Sequence, residues 1–214
     1  MAIILDNADS VVNEILYELR DVNIQKDRFR FEQNIEKLGV IAGYEVSKIL
    51  KYRKSKVSTP LASKKINLID EQIVLGTVLR AGIPLLRGLG TIFKDSQQAF
   101  VAASRDEGST GVSVQTDYVA APSLESKTLI LADTMLATGY SLIAAYNTLI
   151  NKAGEPKRVI IVSVIASKIG LEHVQNALPK ADVIVCSLDE KLNSKYYIDP
   201  GLGDAGDLLY GSKI

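Results

Sequence analysis

Within residues 128–141, TLILADTMLATGYS, one aspartate and a run of small and hydroxylated residues stand at a spacing that suits a sugar phosphate. Residues 129–132 form a short apolar run of strand length. Asp133 follows at the expected strand end, and Ala137-Thr138-Gly139 makes a small-residue turn into an amphipathic helix over 140–152. Such a turn presents main-chain N–H groups and the hydroxyls of Thr138 and Ser141 at a helix N-terminus, where unpaired donors and the helix dipole favour a phosphate. An acid just ahead of the turn can reach the sugar, or a metal, of the same ligand. The lysine of a P-loop is missing, so that motif does not apply.

Other residues could join this chemistry. Arg80-Ala81-Gly82 stands where an expected strand over 73–79 runs into a helix through 89. Ligands of α/β proteins gather outside strand ends, which favours Arg80 as an anion contact over a surface ion-pair partner. The polar segment 104–111, which contains Arg105, and the alternating residues 112–119 read as a flexible hairpin or lid. The tail 196–207 is too rich in glycine and acid to be core, and it orders by turning sharply, which exposes its amides and carbonyls. Gly201, Gly203 and Gly206 spell G-x-G-x-x-G, but only eight residues follow, too few for a dinucleotide-binding unit. His173 lies off the apolar stripe of its helix, Leu171, Val174 and Leu178, and reads as a surface histidine. Cys186 ends an apolar strand and reads as a small buried hydrophobe.

The elements that must position these residues follow from periodicity. Residues 10–19 and a longer stretch from Asp27 to about 54 carry helical faces, separated by a polar bend. The basic end of the second, 48–56, reads as a solvated helix terminus, with a patch for an anionic ligand as the alternative. Thr59-Pro60 marks a break. Further strands are expected at 99–103, 159–165 and 181–187, with a helix at 168–178. The strand–helix alternation predicts an α/β fold with a central, mainly parallel sheet flanked by helices, preceded by a helical N-terminal region.

The 214 residues are most simply one domain, residues 1–214. Lys plus Arg equals Asp plus Glu at 25 each, so no global field points to nucleic acid or to a membrane. One cysteine excludes an intramolecular disulfide, no apolar run reaches membrane-spanning length, and no signal-type start is present, which makes the cytoplasm the expected location.

Three segments converge on one family. LRAG at 79–82, DTMLATGYS at 133–141 and YIDPGLGDAGD at 197–207 resemble the signature segments of uracil phosphoribosyltransferase, a type I phosphoribosyltransferase. LRD at 19–21, RFR at 28–30, YE at 44–45 and TP at 59–60 match the same family in order, so the resemblance covers nearly the whole chain. It implies a pyrimidine salvage enzyme that transfers 5-phosphoribosyl from phosphoribosyl diphosphate to N1 of uracil, giving UMP and diphosphate, with Mg²⁺ as cofactor. By that resemblance Asp133, Arg105 and Asp204 are catalytic candidates. Phosphoribosyl diphosphate would meet Arg80, Arg105, Asp133, Thr134, Met135, Leu136, Ala137, Thr138, Gly139, Tyr140, Ser141 and Asp204. Uracil would meet the main chain of Ile198, Gly203 and Ala205, beside Asp204. The metal ligands stay unassigned.

The resemblance also implies a homo-oligomer, a dimer or larger, and GTP as a candidate effector. Some positions depart from the family pattern: Thr134 and Thr77 replace prolines, Tyr140 a glycine, Ser104 a tyrosine and Asp199 an apolar residue. Tyr140 falls inside the phosphate loop and must avoid a positive φ or tolerate strain. Two alternatives keep the fold: a transferase for another oxo-base such as xanthine, and a non-catalytic nucleotide sensor or RNA-binding regulator. The balanced charge and the absence of an aromatic-plus-basic signature disfavour the latter.

Overall fold

The computed structural model describes residues 2–106 and 113–212, with side chains outside 104–117. Its centre is a seven-stranded sheet in the order β1-β9-β8-β7-β4-β5-β6. These are β1 (Ala2–Ile4), β4 (Ile73–Leu79), β5 (Gln97–Asp106), β6 (Ser113–Ala120), β7 (Thr128–Leu136), β8 (Arg158–Ser167) and β9 (Asp182–Asp189). All neighbours run parallel except β5 and β6. The α/β fold with a mainly parallel sheet is therefore present, and β5–β6 is the expected hairpin. Residues 107–112 of the expected lid lie outside the described residues, as does the side chain of Arg105, whose main chain is in β5.

Alternation along the strands sends successive side chains to opposite faces and builds two cores. Ile130, Ala132, Ile160 and Val162 join one core with α1 (Val11–Arg20), α2 (Arg28–Ile49) and α3 (Ile83–Ile92). Leu129, Leu131 and Ile161 join the other with α4 (Tyr140–Ala153) and α5 (Lys168–Ala177). The caps expected from sequence are in place: the Asp27 side chain accepts from Arg30 N–H, and Gly154 closes α4 at φ +88°. Gly39 of α2 and Gly88 of α3 let the two helices meet at main-chain distance. A Cβ on Gly88 would stand 2.0 Å from the Glu36 carbonyl oxygen and 2.8 Å from Gly39 Cα. Cys186 is fully buried in β9, and desolvation, with a smaller push from Asp6, raises its thiol to about 12.

One expectation fails between 50 and 69. The helix ends at Ile49, Leu50 is extended, and the chain enters an antiparallel arm, β2 (Tyr52–Ser58) and β3 (Ser63–Ile69), that pairs only with itself. Of the basic run only Lys48 belongs to the helix end, where it pairs with Glu45 at 2.6 Å. Thr59-Pro60 is the arm's turn, with Thr59 N–H donating to the Ala62 carbonyl at 2.7 Å. The arm puts Val57, Ile66 and Leu68, which alternate with polar residues such as Lys56, Lys65 and Asn67, into strand register, a period-2 signal masked by the preceding helical period. β1, read only as a short start, completes the sheet edge beside β9.

Connections leave β4 and β7 in opposite directions, β4 to β5 on one side and β7 through β8 to β9 on the other. A crevice opens at the C-terminal ends where such a sheet reverses its winding. The β4–β7 ladder stops at Thr77 and Ala132, and there the Thr77 hydroxyl donates to the Ala132 carbonyl at 3.0 Å. Beyond that rung β7 stays paired with β8 as far as Leu136 and Ala166.

Candidate active site

Both candidate anion-binding turns lie at this crevice, one on each lip. On the β7 lip the strand runs four residues past its expected end at Ala132, so Asp133 is inside the strand, opposite Ser163, and half-buried. Pairing with β8 supplies the extra length after β4 has left. Thr134 is skipped by the ladder and fully buried, and Leu136 is buried too, so contacts of these two with a ligand in the crevice would be main-chain. Thr134 Oγ1 has no hydrogen-bond partner among the described residues. Met135 is half-buried, whereas Ala137 and Thr138 are almost covered.

The turn then takes its positive φ at Gly139, +81°, and Tyr140 is already the first residue of α4. Of the two alternatives for Tyr140, it avoids a positive φ: glycine carries the left-handed conformation and tyrosine needs only a helical one. Ser141 follows in the first turn of α4. The Tyr140 ring meets the His173 ring edge-on, with centroids 4.5 Å apart.

His173 is not the surface residue its place off the stripe suggested. It is half-buried, and Nδ1 lies 2.8 Å from the Thr138 carbonyl oxygen. Ser167 Oγ donates to the neighbouring Ala137 carbonyl at 2.5 Å. Gly170 brings the start of α5 against the turn, since a Cβ there would stand 2.4 Å from both the Leu136 and Ala137 carbonyl oxygens. No local spacing in the sequence announces these contacts.

On the β4 lip, Arg80 is exposed at the strand end, and the Leu79–Arg80 peptide is cis. Gly82 lets its turn settle onto the β4–β7 rung, for a Cβ would stand 2.0 Å from Thr77 Oγ1 and 3.2 Å from the Ala132 carbonyl oxygen. The Arg80 guanidinium carbon stands 5.6 Å from the ring centroid of Tyr210, a cation–π contact with α6 (Ala205–Tyr210).

That contact brings the tail to the site. β10 (Lys191–Leu192) and β11 (Ile198–Asp199) form a small ribbon, across which Asp199 pairs with Lys191 at 3.4 Å. A cis Asp199–Pro200 bond follows, then Gly201 at φ +56° and Gly203 at +95°. Gly203 has nothing within 4 Å of where a Cβ would be, so open space lies on that side of the chain. Asp204 caps α6 by accepting from Asp207 N–H at 3.0 Å, which uses one carboxylate oxygen. Ile198, Leu202 and Ala205 are buried in the same core as Ala132, Ala137 and Ile165.

An anchor missed by the residue-level reading fixes the start of this tail. Arg20 holds both carboxylate oxygens of Asp189, at 2.8 and 2.9 Å, and donates to the Gly201 carbonyl at 2.7 Å. Asp189 in turn accepts from Gly201 N–H at 2.9 Å. Bidentate guanidinium–carboxylate geometry of this kind is both strong and directional. LRD at 19–21 was the only signal for it, and it carried no role. A separate concavity of about 600 Å³ opens at the other end of the strands, lined by Ile73, Phe93, Gln97 and Lys127 among others, away from every residue above.

A model of the uracil phosphoribosyltransferase family matches residues 7–212. A uracil phosphoribosyltransferase of Porphyromonas gingivalis is 39% identical over 207 residues, covering 96% of this chain and 95% of the relative. One from Thermococcus gammatolerans is 38% identical, covering 95% and 90%. Among solved structures, the AQ2163 protein of Aquifex aeolicus superposes with a TM-score of 0.88 at 28% identity, covering 100% of both chains. With the crevice, its two turns and the glycine-rich tail matched along the whole chain, this protein belongs to the uracil phosphoribosyltransferase family.

Proposed function

We propose that this protein transfers a 5-phosphoribosyl group from phosphoribosyl diphosphate to N1 of uracil, releasing diphosphate and UMP. One observation carries the reading: where β4 and β7 part, an acid and an amide-rich helix start form one lip, a guanidinium forms the other, and the glycine-rich tail adjoins both.

The 137–141 turn and the start of α4 hold the 5′-phosphate through main-chain N–H groups and the helix dipole. Asp133, half-buried on the same lip, accepts from ribose hydroxyls and sets the sugar over the crevice. Arg80, exposed on the opposite lip, takes the diphosphate, and Arg105 is given the same role by the resemblance. Guanidinium suits phosphate oxygens through its fixed fork of donors and permanent charge. Because diphosphate departs as the C1′–N1 bond forms, charge on these oxygens grows in the transition state, where fixed cations help most.

Uracil offers O2, N3–H and O4, an acceptor–donor–acceptor row. N–H and carbonyl groups of Ile198, Gly203 and Ala205 answer it, on a chain that turns at two glycines of positive φ and is anchored by the Arg20–Asp189 clamp. Cytosine, with an acceptor at N3 and an amino group at C4, would mispair two of them, a penalty that reaches powers of ten. Asp204 keeps one oxygen beyond its capping bond and is assigned to phosphoribosyl diphosphate.

No group of three or more His, Cys, Asp or Glu side chains that could cage a metal exists among the described residues. Mg²⁺ takes one or two carboxylates and keeps waters and substrate phosphates as its other ligands, so Asp133 or Asp204 would hold it. Held there with the diphosphate, Mg²⁺ would supply neutralising charge to the leaving group. Self-association belongs to the same reading and is supported by the arm, whose Val57, Ile66 and Leu68 are exposed at 41–44% and whose tip residue Leu61 is exposed at 97%. A response to GTP rests on the resemblance alone. No helix among the described residues is long and apolar enough to cross a membrane.

Incubation with labelled uracil, phosphoribosyl diphosphate and Mg²⁺ yields labelled UMP, while excess cytosine or xanthine leaves the rate unchanged. Absence of UMP across metals and pH overturns the proposal, and xanthine turnover in preference to uracil transfers it to another base. A second measurement addresses the tail. Asp189→Ala strands the Arg20 guanidinium and frees Gly201, so unfolding stability falls by about 2 kcal/mol. The uracil KM rises more than that for phosphoribosyl diphosphate; equal rises would detach the clamp from the uracil pocket.

A further inference from the structure

The turn at 137–139 is fastened from behind by side chains of a single neighbouring segment. Ser167, the N-cap of α5, is fully buried; its hydroxyl donates to the Ala137 carbonyl at 2.5 Å and accepts from Gly170 N–H at 2.9 Å. His173, less than two turns further along α5, places Nδ1 2.8 Å from the next carbonyl, that of Thr138. A carbonyl only accepts, so Nδ1 carries the proton and donates.

The consequence follows from peptide geometry. In a planar trans peptide the N–H points opposite to the C=O. The Ala137 carbonyl shares its plane with Thr138 N–H, and the Thr138 carbonyl shares its plane with Gly139 N–H. Holding both carbonyls against α5 therefore aims both amides the other way, out of the packed side of the turn. None of the described main-chain bonds of turns and caps uses either amide. Gly139, at φ +81°, allows the two planes to present their amides in succession, and a Cβ there would crowd Val174 Cγ2 at 3.0 Å and the Gly170 carbonyl oxygen at 3.1 Å. The α5 side of the turn is thus closed by contact, which leaves the crevice side for the amides.

We propose that Ser167 and His173 are positioning residues for the 5′-phosphate, acting through the Ala137 and Thr138 carbonyls to aim the Thr138 and Gly139 amides at it. The inference rests on the reading that residues 137–141 hold a phosphate. Neither side chain touches the ligand. Each instead removes the freedom of a peptide plane to rotate, and a preorganised donor pair loses less on binding than a mobile one. The Tyr140 ring, edge-on to His173, keeps the imidazole in place from the helix side.

Two His173 variants separate the donor from the ring. His173→Phe keeps an aromatic ring against Tyr140 and lacks the donor, whereas His173→Asn loses the ring and returns an N–H at the position of Nδ1. His173→Phe is expected to raise the KM for phosphoribosyl diphosphate about tenfold and to weaken ribose 5-phosphate binding in calorimetry equally, with the uracil KM within twofold of wild type. His173→Asn is expected to recover both values to within about threefold. Ser167→Ala acts on the adjacent plane and shifts the same two quantities in the same direction, so the test stands even if one His173 variant folds poorly.

Unchanged ribose 5-phosphate affinity in folded His173→Phe and Ser167→Ala overturns the positioning role while the phosphate reading survives. His173→Asn no better than His173→Phe overturns the donor assignment. If the wild-type protein binds no ribose 5-phosphate, the phosphate reading fails and the inference with it.

Discussion

Asp133→Asn lowers kcat/KM for phosphoribosyl diphosphate by about a hundredfold, the size expected when charge-assisted hydrogen bonds of about 1.5–3 kcal/mol are lost or weakened. The substitution preserves shape, so the strand position opposite Ser163 is undisturbed. What changes is chemistry: a carboxylate accepts with both oxygens, whereas an amide offers one acceptor and one donor group. Ribose hydroxyls that donate to the acid would then meet an N–H on one side. Its half-buried setting sharpens the effect, because a charge–dipole contact near the protein interior is screened less than in water. Circular dichroism should show that the variant keeps the fold. A folded variant with kcat/KM within threefold of wild type removes Asp133 from the sugar.

Gly88→Ala carries the largest expected cost in stability, about 3 kcal/mol at the upper end for overpacking. The added methyl would sit 2.0 Å from the Glu36 carbonyl oxygen, main chain that cannot swing aside as a flexible side chain can. α2 and α3 must therefore separate along a contact that Leu38, Leu85 and Leu89 seal on either side. The helix ends feel this as well, since α3 begins directly after Arg80-Ala81-Gly82. Urea denaturation gives the measurement: the midpoint drops with the slope unchanged. An unaltered midpoint would show that the helices do not meet at these glycines.

Legibility in the sequence followed the range of the interaction. The strand at 73–79 and the helix from Tyr140 with its Gly154 cap were readable because apolar runs, caps and turn residues act within a few positions. The same locality explains the errors. The arm at 52–69 was merged into the preceding helix and a break, because alternation over seven residues is a short signal beside twenty-two residues of helical period. Asp133 was placed at a strand end because Leu129 to Ala132 is where apolar character stops, whereas the strand stops where β8 ceases to pair with it. The sequence does not say whether Gly139 or Tyr140 takes the left-handed conformation: one position separates a residue that must be left-handed from one that must only start a helix. His173 was judged by its side of a helix, with no means of seeing a carbonyl 35 residues away.

By itself the sequence determined the chemical inventory: an acid and a small-residue turn in the right order, an arginine at a strand end, and a glycine-rich tail with exposed main chain. Within each of these segments the residues are near neighbours along the chain, and their spacing survives any packing. Only the tertiary structure decided how they face one another. β4 and β7 must part for the crevice to exist, Arg20 must reach Asp189 and Gly201 across 169 and 181 residues to hold the tail, and Ser167 and His173 must take two carboxamide oxygens of the turn before its amides have a direction. Peptide orientation in a loop has no local code. It is set by whichever distant donors the fold brings to its carbonyls.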